Sequence, residues 1–100
     1  MIIRIVKMEF QPEKVVDFLA VFNQNNQKIR HFDGCQHLEL WRATNADDSN
    51  IFFTYSHWQS EEHLNRYRQS KLFRNAWTTV KQLFIEKPQA WSVEQIVKAN

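Results

Sequence analysis

Glycine is almost missing from this 100-residue chain: Gly34 is the only one. A phosphate-cradling loop needs several glycines so that backbone amides can approach the anion, so the glycine-rich nucleotide folds are excluded. The same scarcity argues against an RNA-binding module of the glycine-bearing type. Cysteine is as rare. Cys35 alone cannot close an intrachain disulfide, and the chain has no paired cysteine spacing for zinc. His31, His37, His57 and His63 form neither an HExxH pattern nor another ligand spacing on one helix, so no metal is expected. No apolar run approaches a membrane span, and no positively flanked apolar leader opens the chain. A reducing, cytoplasmic setting without a membrane partner is the default expectation. Charge of one sign is lacking too: 13 Lys and Arg stand against 11 Asp and Glu. Nucleic-acid binding needs a basic stripe or patch. The nearest approach, Arg66, Arg68, Lys71 and Arg74, reads first as a solvated helix face, so no nucleic-acid partner is expected.

What the chain has is rings. Eight Phe and four Trp are a heavy load for one domain spanning residues 1–100. A chain of this length buries only roughly 60–65% of its extended surface, so its own core is modest. Either the interior is unusually aromatic or a partner covers part of that area. A second copy of the chain is the favoured partner, because homodimer interfaces are the more apolar ones.

Ile2 to Phe10 is rich in β-branched residues and apolar on both faces at its start, as in a strand covered on both sides. Pro12 suits the first turn of a helix. Val15, Phe18, Leu19, Phe22, Asn26 and Ile29 then follow at helical spacing, with Lys14, Asp17, Asn25 and Lys28 outward. Gly34 turns the chain. Cys35 to Arg42 and Ile51 to Trp58 alternate as strands, and the polar stretch 44–50 between them predicts a hairpin. Ser60 followed by Glu61 and Glu62 starts a helix, although the capping-box position three residues on is His63. Ser70 is a second cap, so two helices are expected before the break at Lys87-Pro88. Ala90 to Val97 forms the last strand, an edge or an exchanged one.

The order strand, helix, strand, strand, helix, strand predicts an α+β, ferredoxin-like split βαβ fold. Its four-stranded antiparallel sheet carries helices on one face. Each hairpin strand offers large apolar groups to both faces. One face covers helices; the other is too apolar to stand in water, which predicts a homodimer through the sheet faces.

The richest stretch for chemistry runs from Phe53 to Trp77. Trp58, Tyr67, Phe73 and Trp77 can line a space between sheet and helix that grips a planar molecule such as a quinol, polyphenol or porphyrin. Tyr67 can donate a proton or orient a phenolic oxygen. His57 or His63 can act as a base, because imidazole titrates nearest neutral pH. Ordinary core packing is the competing use of these rings, and the more frequent one for Trp58 and Phe73. His37 and His57 can approach one another on paired strands. Cys35 and His37 share a face by parity, but side chains two apart on a strand are roughly 6–7 Å apart, too far for a nucleophile and its base.

The pattern Phe53-x-Tyr55-x-x-Trp58-x-Ser60-x-Glu62, followed by Tyr67-x-x-Ser70-x-x-Phe73, resembles the antibiotic biosynthesis monooxygenase (ABM) domain family. The resemblance extends from the first strand to Trp91. It implies a dimeric α/β barrel in which two ferredoxin-like sheets face one another. It also implies a monooxygenase acting on a small aromatic or quinol-like compound without a cofactor. Tyr67 stands where many relatives carry a histidine, and Leu72 where a second is often found. In the haem-degrading branch the axial histidine falls at Trp77 of this chain, and the first strand here lacks that branch's asparagine, so haem is not implied. A non-catalytic dimeric module, structural or binding a small hydrophobic ligand, is the competing reading. A shared fold does not carry an activity with it.

Overall fold

The structure is a computed structural model that describes every residue except Ala46 and Asp48. Its strands are β1 (Ile2–Glu9), β2 (Cys35–Arg42), β3 (Ile51–Trp58) and β4 (Gln89–Val93). Its helices are α1 (Val15–Arg30), α2 (Glu61–Arg68) and α3 (Lys71–Val80), with single 3-10 turns at Pro12–Lys14 and Lys81–Leu83. The sheet order is β2-β3-β1-β4 with every neighbouring pair antiparallel, which is the expected α+β, ferredoxin-like arrangement. The expected turn over 44–50 includes the two positions outside the described residues.

Alternation along the strands decides what each face carries. Met8 and Phe10 of the first strand and its extension, with Phe52 from β3, point toward the helices and meet Phe18 and Val80 in one buried cluster. Phe10 is wholly inaccessible and stacks on Phe18 at 4.1 Å between ring centroids. Burying a ring of this size stabilises by roughly 1.5–3 kcal/mol relative to leaving it exposed. A second, smaller cluster joins Cys35, Trp58 and Leu64 at the other end of the sheet. The α1 stripe continues from Phe18 at helical spacing through Val21, Phe22, Asn25 and Ile29, all facing the same interior space. Asn25 therefore turns inward where the sequence pattern had it outward, and its amide donates to the Val21 carbonyl at 2.8 Å.

Two further expectations change. Cys35 pairs with Trp58 but His37 pairs with His57, so a bulge at this point gives β2 one extra residue. The extra residue breaks the parity: Cys35 goes into the core while His37 stays on the helix-free face, where its ring lies 5.0 Å from that of His57. The last strand is also shorter and begins earlier than expected. It pairs with β1 from Gln89 to Val93, and Ile96 and Val97 lie beyond it, about four-fifths exposed.

Candidate functional site

The two serine caps position the site. Ser60 Oγ accepts the backbone N–H of His63 at 3.2 Å and starts α2. Ser70 Oγ accepts the N–H of Phe73 at 3.1 Å, starting α3, while its own hydroxyl donates to the Tyr67 carbonyl at 2.6 Å. One serine thus ties the end of one helix to the start of the next, and it fixes where Tyr67 and Phe73 project. Such caps are worth about 1 kcal/mol each.

Between the sheet's helix-bearing face and the three helices lies a cavity of about 330 Å³. Trp58, Tyr67, Phe73 and Trp77 all line it, as the sequence led one to expect. They form a run of touching rings. Tyr67 stacks on Trp58 at 4.9 Å, meets Phe73 edge-on at 5.3 Å, and Phe73 stacks on Trp77 at 5.6 Å. Trp58 serves both purposes at once: it is a core residue only 1% exposed, and one part of it is cavity wall. Its indole N–H donates to Ser56 Oγ at 3.0 Å, so no buried polar atom is left over there.

Tyr67 is different. Its hydroxyl has no hydrogen-bond partner among the described residues, although the ring is well packed. Burial, and secondarily the proximity of Cys35, pushes its pKa far above that of a free phenol. The hydroxyl is therefore a neutral donor and acceptor at physiological pH, available to whatever fills the space.

The two histidines expected as bases lie elsewhere. His57 sits on the opposite face of the sheet, hydrogen-bonded through Nε2 to the Tyr55 hydroxyl at 2.6 Å. The reason is the strand period, since Trp58 faces the helices and its neighbour must face away. His63 is held at the start of α2. Its Nδ1 bonds Ser60 Oγ at 2.7 Å, and its Nε2 lies 3.9 Å from Asp33. The ring covers Gly34, which has φ +90°, and any side chain there would overlap it. Neither histidine lines the cavity. Its titratable lining residues are Arg4, Tyr67 and Arg68.

Sequence reasoning missed Arg4, Asn25 and Arg68 as lining residues: Arg68, read as part of a solvated helix face, is exposed and yet also borders the cavity. Alternation along β1 puts Arg4 on the face of Val6 and Met8, a signal obscured by its place in a run of β-branched neighbours. Its guanidinium donates to Ser92 Oγ on β4 at 3.1 Å. Among the described residues, no three His, Cys, Asp or Glu side chains converge as a metal site. Nor is any helix among them long and apolar enough to cross a membrane.

With this geometry in place, the comparisons with known proteins are direct. Residues 1–78 match the antibiotic biosynthesis monooxygenase family model, and the chain belongs to that family. It is similar in structure to an antibiotic biosynthesis monooxygenase at 14% identity, with a TM-score of 0.87 over 97% of this chain and 100% of the other. It is also similar to Rv0793 from Mycobacterium tuberculosis, at 18% identity and a TM-score of 0.86, covering 99% and 98% of the two chains. A conserved protein from Methanosarcina mazei gives 18% identity and 0.85, over 95% and 93%. At these identities the likeness establishes the fold. No curated protein matches the sequence.

Proposed function

We propose that the cavity binds a small planar aromatic or quinol-like molecule and that the protein oxygenates it without a bound cofactor. The observation carrying this reading is the unpartnered Tyr67 hydroxyl in a ring-lined cavity of about 330 Å³. That volume is at the lower end of the range for small-molecule sites, roughly 300–1,000 Å³, so it suits two or three fused rings and not a macrocycle.

A reduced ring carbon bearing two hydrogens can react with dioxygen to give a carbonyl and one water. One oxygen atom enters the product, the other leaves as water, and all four electrons come from the substrate. Rings such as Trp58, Phe73 and Trp77 hold the substrate and keep water away from the reacting carbon. Tyr67, kept protonated, donates a hydrogen bond to the oxygen on which negative charge collects once the substrate loses its proton. Tyr67 does not remove that proton. His57 and His63 are not assigned the role of base either, because neither reaches the cavity. The same reading includes a second copy of the chain on the helix-free sheet face, and a reducing cytoplasmic setting in which Cys35 remains a thiol.

Tyr67→Phe tests the reading. With a quinol such as reduced menadione and ¹⁸O-labelled dioxygen, the wild type incorporates one labelled atom. The variant folds normally and turns over roughly tenfold more slowly or worse, as expected for the loss of a positioned proton donor. An unchanged rate removes Tyr67 from the mechanism. One observation favours a second reading, a non-catalytic module binding small hydrophobic molecules: no lining residue is a base near neutral pH. Under it, the quinol binds and no labelled oxygen enters it beyond the level found without protein.

A further inference from the structure

The cavity is not apolar throughout. Arg4, the third residue of β1, and Arg68, the last residue of α2, both belong to its lining. They come from elements far apart in sequence, and partial burial, followed by the charge of Arg68, lowers the pKa of Arg4. Arg4 is half-buried and Arg68 is exposed; like charges on one wall repel one another, and an unpaired cation becomes more costly as it loses water. The usual remedy is a carboxylate between them. Here Glu61 offsets part of the field, but neither guanidinium has a carboxylate within ion-pair distance among the described residues. The contrast with Arg66 on the same helix is direct, since Arg66 is paired with both Glu62 and Asp33. Arg4 is in addition only partly satisfied, its one hydrogen bond among the described residues going to the neutral Ser92 hydroxyl.

We infer that the cavity takes an aromatic acid, its fused rings against Trp58, Tyr67 and Phe73 and its carboxylate held between Arg4 and Arg68. This deepens the proposed function and rests on its reading of the cavity as a ligand site. Guanidinium matches carboxylate geometry through paired N–H donors, and two of them converging from separate elements fix both the position and the plane of the anion. The bound anion also relieves the repulsion between the arginines. The same positive end of the cavity draws electron density on the ring toward it and favours loss of a nearby phenolic proton. It thereby takes over part of what a missing base would do.

The test is isothermal titration calorimetry with 2-naphthoate and its neutral counterpart 2-naphthamide, which share ring and shape and differ in charge. The wild type is expected to bind the naphthoate at least about tenfold more tightly, the scale of one charge-assisted bidentate pair. Arg68→Gln and Arg4→Gln each remove most of that preference and leave naphthamide affinity as it was. Arg66→Gln, altering a cation already paired at the surface, leaves the preference intact. Equal affinities in the wild type overturn this inference and leave the aromatic cavity standing. A preference that survives both cavity substitutions also overturns it, because the carboxylate is then held elsewhere. If neither ligand binds at millimolar concentration, the cavity reading itself fails and this inference with it. The wild-type ratio keeps the test decisive even if an arginine variant folds poorly.

Discussion

The two faces of the sheet are made by the same strands and have opposite fates. On the helix-bearing face Met8, Phe10, Phe52 and Trp58 are at most 4% exposed. On the other, Trp41, Trp91 and Val93 remain 39–46% exposed. The helix-free face is not a random polar surface. Its rings touch one another: Tyr55 lies 4.7 Å from Trp41 and 4.8 Å from His57. Its polar groups are already used. The Trp41 indole donates to Glu39 at 2.8 Å, His37 bonds the same carboxylate, and Tyr55 bonds His57. The bonds from His37, and then Trp41, hold the Glu39 carboxyl below its usual range. Groups bonded to one another in this way can be covered without being left stranded, whereas Lys7 on the same face has to keep its ammonium at the rim. The first face thus gained its cover from this chain's helices; the second is ready for a cover the single chain does not supply.

Substitutions on each face sharpen that contrast, and the largest effect belongs to the covered one. Phe10→Ala removes a ring packed against Phe18, Phe52 and Phe84 and should cost about 3–5 kcal/mol in chemical denaturation. A loss under about 1 kcal/mol would mean that this core collapses freely around the gap. Next comes the bare face. Trp41→Glu together with Trp91→Glu should convert a dimer into a monomer in sedimentation experiments at micromolar concentration, while helix content is retained. A wild type that is already monomeric there breaks the comparison, since the face would then tolerate water. Ser60→Ala, away from both faces, should cost about 1 kcal/mol through loss of the α2 cap, and it frees His63 as well.

The smallest effect is one of pH. Burial, and then the charge of His37, lowers the pKa of His57 below that of a free imidazole. The folded state therefore resists a proton that the unfolded chain accepts. This contribution to stability is complete above about pH 6.5 and declines as the pH falls through that value toward the lower folded-state pKa. Melting temperatures from pH 7 down to pH 5 should show a decline that His57→Gln makes shallower. An equal slope in the variant assigns the dependence to other groups.

Several parts of this protein were legible in the residues alone, each for a local reason. Strand alternation, the stripe on α1, and the serines at 60 and 70 act over a few positions, so they can be read without knowing what packs where. The four rings later found on the cavity wall were legible because Tyr67 lies on the apolar side of α2, Phe73 and Trp77 lie one turn apart on α3, and Trp58 ends a strand pointing toward them. The histidines were not. His57 is one residue from Trp58 in sequence and on the other side of the sheet in space, and His63 is drawn to the Ser60 cap by a bond that composition does not announce.

By itself, then, the order of residues determined the split βαβ pattern, the pair of capped helices and the supply of rings, because periodicity and capping depend on near neighbours. Only the tertiary structure decided that one extra residue in β2 separates Cys35 from His37. It alone decided that the helices leave an open volume beside Tyr67, and that Arg4 and Arg68 both line it. Those outcomes depend on how segments distant in the sequence come together, from 23 positions apart for Cys35 and Trp58 to 64 for Arg4 and Arg68. No local pattern encodes the register in which such segments come together.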